Sequence, residues 1–174
     1  SITNFAGDAE KRDQTNAALA ALGTRVAPAI LMYRTGVDSI VNTTSAVRSL
    51  LTTYAELLPK MEPRMVMLMS FPAYCVDAMA QFRYPLQQAF TQLSEHGASI
   101  DAIEGGRVVL LDMLAGGHWE QAEKVGAQCL EMAAQVHGSE LVRHQLLADM
   151  GVFAAWRGDL GTARRNAADV TAWA

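Results

Sequence analysis

The sequence predicts an all-α fold, antiparallel helical hairpins stacked as a right-handed superhelix of about eight helices. Three observations predict it. The chain of 174 residues is 51% hydrophobic but only 7% aromatic, with many Ala and Leu, a composition suited to helices packed closely through small side chains. Only five prolines occur, and no long stretch alternates apolar with polar residues under β-branched enrichment, so a sheet is not expected. A short phrase also occurs twice, as Gly117-His-Trp-Glu-Gln-Ala122 and as Gly158-Asp-Leu-Gly-Thr-Ala163, with its glycines 41 residues apart. Gly accepts the left-handed conformation that ends one helix, and Ala lets the next helix pack closely. The bulky residue between them, Trp119 or Leu160, is expected to plug the gap under the turn.

From about Asp13 to Tyr33 the apolar positions Leu19, Leu22, Val26, Ile30 and Tyr33 recur at helical spacing, with Pro28 as a kink. A second amphipathic stretch runs from about Asp38 to Leu58, and Pro59 and Pro63 bracket the turn after it. Arg64 to Phe82 is again apolar, with an interruption near Phe71-Pro72. Tyr84-Pro85 predicts another break, after which Leu86-Gln-Gln-Ala89 supplies a joint whose glycine is replaced. Bulky joint residues then fall at Leu86, Trp119 and Leu160, and Gly36-Val37 with Ile40 offers a fourth, weaker joint. Ser99 and Asp101 can cap the helix that runs to Ala115, and Ser139 can cap the one beginning at Glu140. The expected organisation is a single helical-repeat domain over 1–174, with hairpins at roughly 13–58, 64–96, 99–137 and 140–174. The start at Ser1 and the stop at Ala174 inside a helical pattern suggest a piece of a longer chain.

The balance of 14 Lys+Arg against 18 Asp+Glu gives a formal net charge of −4, so the electrostatic footprint of a nucleic-acid binder is lacking. No uninterrupted apolar run has membrane-spanning length, and no basic-then-apolar leader opens the chain. A cytoplasmic location is the expectation. Cys75 and Cys129 stand far apart in apolar contexts and are both expected to be buried small hydrophobes.

The segment Arg157-Gly-Asp-Leu-Gly-Thr-Ala163 and its parallel Gly116-Gly-His-Trp-Glu-Gln-Ala122 resemble the joint of tetratricopeptide repeats. The closing stretch, Ala155 to Ala174, resembles the helical repeat region of the large ATP-binding LuxR-type transcriptional regulators of actinobacteria. The resemblance covers roughly the last 75 residues, and the period of 41 is longer than the usual ~34 of tetratricopeptide repeats. In that family a P-loop ATPase module precedes the repeats and a helix-turn-helix follows them. This chain carries no Gly-x-x-x-x-Gly-Lys-Ser/Thr pattern and no basic recognition helix, so neither nucleotide nor DNA contact is carried over. What the resemblance implies is a sensor or interaction segment of a transcriptional regulator.

Nothing in the residues points to catalysis. The acidic residues are dispersed, the serines lack a nucleophile-elbow glycine frame, and His96, His118, His137 and His144 lack the partners of a metal spacing. No cofactor, metal or catalytic residue is expected. Gly105-Gly106 is expected to let two helix backbones approach, or to sit in a first turn. Met61, Met65, Met67 and Met69 suit either a buried helix face or, if exposed, an adaptable contact patch. If the first helix of each later hairpin lines an inner side, its embedded polar residues become binding candidates. These are Asp77, Arg83, Arg107, Asp112, His144 and Asp149, with Tyr74 as the accompanying aromatic. A charge in such a helix must be paired across helices, solvated in a groove, or presented to a ligand. The expected partners are modules of the parent chain, a peptide or a small effector. Alternatives are a generic tetratricopeptide-type adaptor for a peptide, or a helical homodimerisation module using exposed apolar surface near Trp173.

Overall fold

The computed structural model describes Gln14, Ala17, Ala18, Ala21 and residues 44–174 apart from Ala98. The described residues are mostly helical, with no strand among them. Apart from those four N-terminal residues, which are helical, the first expected helix lies outside them, as do the joint at Gly36-Val37 with Ile40 and the start of the second helix. Helix α1 (Thr44–Ala55) buries Val47, Leu51 and Tyr54, and a 3-10 turn at Leu58–Lys60 follows. Then come α2 (Pro63–Leu68), α3 (Ser70–Cys75), α4 (Met79–Glu95), α5 (Ile100–Ala115), α6 (Trp119–Gln135), α7 (Glu140–Trp156) and α8 (Leu160–Trp173).

Helices α2 and α3 rest on α4 and α5, α5 pairs closely with α6, and α7 pairs closely with α8. Helix α7 also packs against both α5 and α6. The core is built from side chains such as Met67, Met69, Phe82, Leu86, Ile103, Leu110 and Leu146, all at most 2% exposed. The methionine cluster is thus divided. Met67 and Met69 are core, whereas Met61 and Met65 are half-buried against its edge.

Two breaks are expected at prolines, and the structure shows one of them. Pro72 has no N–H to offer the carbonyl of Leu68, and the helix breaks one turn earlier, at Met69, into α2 and α3. Pro85, by contrast, sits inside α4 without ending it. The expected break at Tyr84-Pro85 is therefore absent, and Leu86 and Ala89 are mid-helix core residues rather than a joint. The carbonyl that Pro85 deprives belongs to Gln81, an exposed residue, where water can take the lost donor's place.

The joint itself occurs seven residues earlier, about two turns of helix. Asp77 (φ 54°), Gly117 (φ 77°) and Gly158 (φ 82°) all occupy the left-handed region, and they lie 40 and then 41 residues apart. Each closes its helix with the same pair of hydrogen bonds. The N–H groups of Ala78, His118 and Asp159 donate to the carbonyls of Ala73, Met113 and Ala154 at 2.8–2.9 Å. Those of Asp77, Gly117 and Gly158 donate to Tyr74, Leu114 and Ala155 at 3.0–3.2 Å. This 6→1 and 5→2 pair is the Schellman motif, which satisfies the last carbonyls of a helix. The residues that begin the next helix are accordingly Met79, Trp119 and Leu160. Met79 is buried, but Trp119 and Leu160 are 43% and 54% exposed, so neither fills the gap beneath its turn.

Caps divide similarly. Ser99 accepts the Ala102 N–H (3.3 Å) and Asp159 accepts the Thr162 N–H (3.0 Å), each starting a helix. Ser139 precedes α7 but makes no cap bond. Its hydroxyl is buried and donates back to the Ala133 carbonyl at 2.6 Å, tying the α6–α7 loop to α6.

Candidate functional site

The charged residues embedded in the apolar helices are where chemistry could reside, because a buried charge must find a partner. Helix α5 presents two of them. Its Asp112 is 8% exposed and receives both Arg83 Nε (2.6 Å) and Nη2 (2.9 Å) from α4. The fork geometry matches a carboxylate, and the hydrogen bond to Asp112, then its charge, raises the Arg83 pKa. One and a half turns before Asp112, Arg107 leaves α5 in the other direction. Its Nε donates to Asp149 Oδ2 on α7 at 2.5 Å, and Nη2 and Nη1 reach Asp149 Oδ1 and Gln145 Oε1, each at 3.4 Å. Both side chains of this pair are mostly covered, at 24% and 18% exposure. Arg64 of α2 pairs with Asp101 in the first turn of α5.

Of the seven candidate residues, four therefore meet as two inter-helix pairs, Arg83 with Asp112 and Arg107 with Asp149. The other three lie apart from them. Tyr74 is exposed near the end of α3, and Asp77 is the exposed left-handed residue of the first described joint. His144 stacks on Trp173 at the far end of α8, with ring centroids 4.4 Å apart and planes 10° off parallel. Its Nδ1 stands 2.6 Å from the Glu140 carbonyl, an i, i−4 contact within α7.

Sequence reasoning missed Gln145, which shares a helix face with Asp149 at i, i+4 spacing, the one signal that could have found it. It also missed a second cluster between α6 and α7. There Trp119 meets Phe153 edge-on at 6.1 Å, and Arg157 lies over the same ring while binding Glu123 at 2.6 Å.

Small residues shape the surroundings by admitting side chains, not backbones. A Cβ at Gly106 would stand 2.5 Å from both Cys129 Sγ and Phe90 Cε2, and one at Gly105 would strike Met67. Gly126 of α6 likewise makes room for Met150 of α7. Cys129 is buried as expected, and loss of solvent pushes its thiol pKa up to about 12. Cys75 differs from expectation. It is exposed, because it sits at the final residue of α3 on the way into a turn.

Among the described residues, no cluster of His, Cys, Asp and Glu could hold a metal ion, and no buried side-chain nitrogen or oxygen lacks a hydrogen-bond partner. A shallow depression of about 300 Å³ is lined by Tyr84, Gln87, Gln88, Thr91 and Gln92, all on α4 and none among the seven candidates. No described helix is long and apolar enough to cross a membrane. No protein-family model matches the chain, and neither any curated protein nor any solved structure does.

Proposed function

We propose that this chain is a non-catalytic sensor or interaction segment of a cytoplasmic transcriptional regulator, its hairpins stacked as a tetratricopeptide-like superhelix of the LuxR-type kind. The observation that carries this reading is the Arg107–Asp149 pair, which joins α5 of one hairpin to α7 of the next. The joints recurring at 77, 117 and 158 support the stacking, and the resemblance of the closing stretch supports the regulator.

A pair of this kind ties the relative placement of two hairpins to one charge contact. An anionic group that takes Arg107, or a cationic one that takes Asp149, favours a different placement of α7 on α5. That bias is what a sensor segment passes to modules beyond itself. A ligand can shift the balance only by its difference in affinity between the two placements.

The test is a thermal-shift screen of this chain against metabolites and short peptides, followed by calorimetry on each hit. A ligand present at about 100 times its Kd stabilises by ~2.7 kcal/mol, which several degrees of shift would report. The expected result is a stabilising hit that Arg107→Ala and Asp149→Ala each abolish. A hit that both variants retain would place the site elsewhere and sink this mechanism.

A further inference from the structure

Each hairpin turns one strip of its second helix outward, along residues spaced three, four, three and four apart. In α6 the strip is Gln121, Lys124, Gln128, Glu131 and Gln135, all exposed although α6 has a described hairpin before its own and another after it. It is therefore not a face through which hairpins stack. In α8 the strip begins with Thr162, Arg165 and Asp169. Both strips carry charges, as a solvated helix face does. At the same places after Asp77, α4 has Gln81, Tyr84, Gln88, Thr91 and Glu95, again all exposed, and from Gln81 to Thr91 none is charged. Tyr84 stands where the later helices have Lys124 and Arg165. At 68% it is the most exposed large apolar side chain among the described residues. Gln88 Nε2 donates to its hydroxyl at 2.8 Å, which holds the ring beside the shallow depression that runs on to Gln92.

We infer that this strip on α4 joins two copies of the chain about a two-fold axis, with the two helices antiparallel and Gln88 at the centre. Such an axis brings the central residue against its own image. A charge there meets a like charge, whereas a carboxamide both donates and accepts and so pairs with itself. Away from the axis, residues equally far from Gln88 stand opposite each other. Tyr84 of one copy then lies against Gln92 of the other, over the depression lined by Tyr84, Gln87, Gln88, Thr91 and Gln92. Glu95, the one charge of the strip, lies seven residues after Gln88 and meets Gln81, seven before it, whose amide donates to a carboxylate. The charge thus faces a neutral donor and not its own image. Tyrosine is an anchor that interfaces favour, and the neutral groups around it make a contact that salt leaves alone. One helix per copy is a small surface, so the association is modest, with a Kd on the order of 10 μM. None of the seven candidate residues lies on this strip, and the inference stands whether or not an effector binds.

Sedimentation equilibrium of the purified chain, over a concentration series spanning that Kd, tests it with Gln88→Glu, Gln88→Lys and their equimolar mixture. Far-ultraviolet dichroism checks folding, which an exposed mid-helix position exchanged for two good helix formers should leave intact. The expected result is twice the chain mass for the wild type at the top of the series, unchanged by molar salt. Each variant alone should show the chain mass, with association weakened roughly 100-fold by two like charges at the axis. The mixture should return to twice the chain mass, because a carboxylate then meets an ammonium group across the axis, and molar salt should weaken that dimer. A wild type that stays monomeric throughout overturns the inference, and so do single variants that still dimerise. A mixture that stays monomeric equally overturns it, since Gln88 would then not face its own image. The thermal-shift screen reads Arg107 and Asp149 on other helices, so either reading can fail without the other.

Discussion

Helices α5 and α8 enter through similar caps, Ser99 and Asp159, yet they reach opposite states of burial. Ten of the sixteen residues of α5 are buried, and none of the fourteen in α8 is. Helix α5 is surrounded by α2, α3, α4, α6 and α7, whereas α8 lies against α7. The same contrast runs through the joints. Ala122 is fully buried while its counterpart Ala163 is half-buried. Local backbone chemistry thus repeats along the chain, and neighbours decide what each copy contributes to stability.

Truncation should expose that difference most strongly. Leu110→Ala in α5 is expected to cost about 2–5 kcal/mol, the range for a fully buried leucine that leaves a cavity. Val170→Ala in α8, half-buried at the margin, should cost about 1 kcal/mol or less. Chemical denaturation of both variants checks this, and equal losses would mean that burial does not decide what the two helices contribute.

Ion pairs extend the comparison. Arg107→Ala leaves Asp149 among mostly covered groups and should cost about 1–3 kcal/mol. Glu123→Ala breaks an exposed pair with Arg157, at 56% and 42% exposure, and should cost about 0–1 kcal/mol. Double-mutant cycles with Asp149→Ala and Arg157→Ala separate coupling from truncation. Similar coupling in both would refute the ranking by burial.

The joints provide a smaller effect of opposite sign. Asp77 holds a left-handed conformation that Gly117 and Gly158 hold without steric cost. Asp77→Gly should therefore raise stability by about 0.5–1 kcal/mol, and Gly117→Ala should lower it by ~1 kcal/mol or more. A fall in stability for Asp77→Gly would show that its side chain makes a contact worth more than the strain.

Asp159 gives the smallest effect, seen in the pH dependence. Hydrogen bonds donated by Thr162, first from its side chain and then from its backbone N–H, hold the Asp159 carboxyl below its ordinary pKa. A depressed native pKa means the unfolded chain binds the proton first. The cap's contribution is therefore whole above the ordinary carboxylate range and is lost as pH falls through the native pKa. Asp159→Asn, which can still cap, should flatten the acid limb of the Tm profile slightly. An unchanged profile would mean that the charge adds nothing beyond the hydrogen bond.

Legibility in the sequence followed the range of the interaction. The joints at 117 and 158 were readable because glycine is the visible sign of a left-handed residue. The joint at 77 was hidden by an aspartate doing the same work, and Pro85 pointed to a break that an exposed Gln81 carbonyl makes unnecessary. The candidate charges were readable as groups needing partners. Their partners were not, since Asp112 and Asp149 stand 29 and 42 residues from Arg83 and Arg107.

Helix content, caps and turns arise from forces that act within five or six residues, and composition with spacing carried the helix content and the two glycine joints, though not the aspartate joint at 77 or the missing cap at Ser139. Exposure of Trp119 and Leu160 and the choice of Asp149 for Arg107 depend on which helices arrive alongside. Those outcomes are set by packing between segments about 40 residues apart, where no local pattern records whether a neighbour is present.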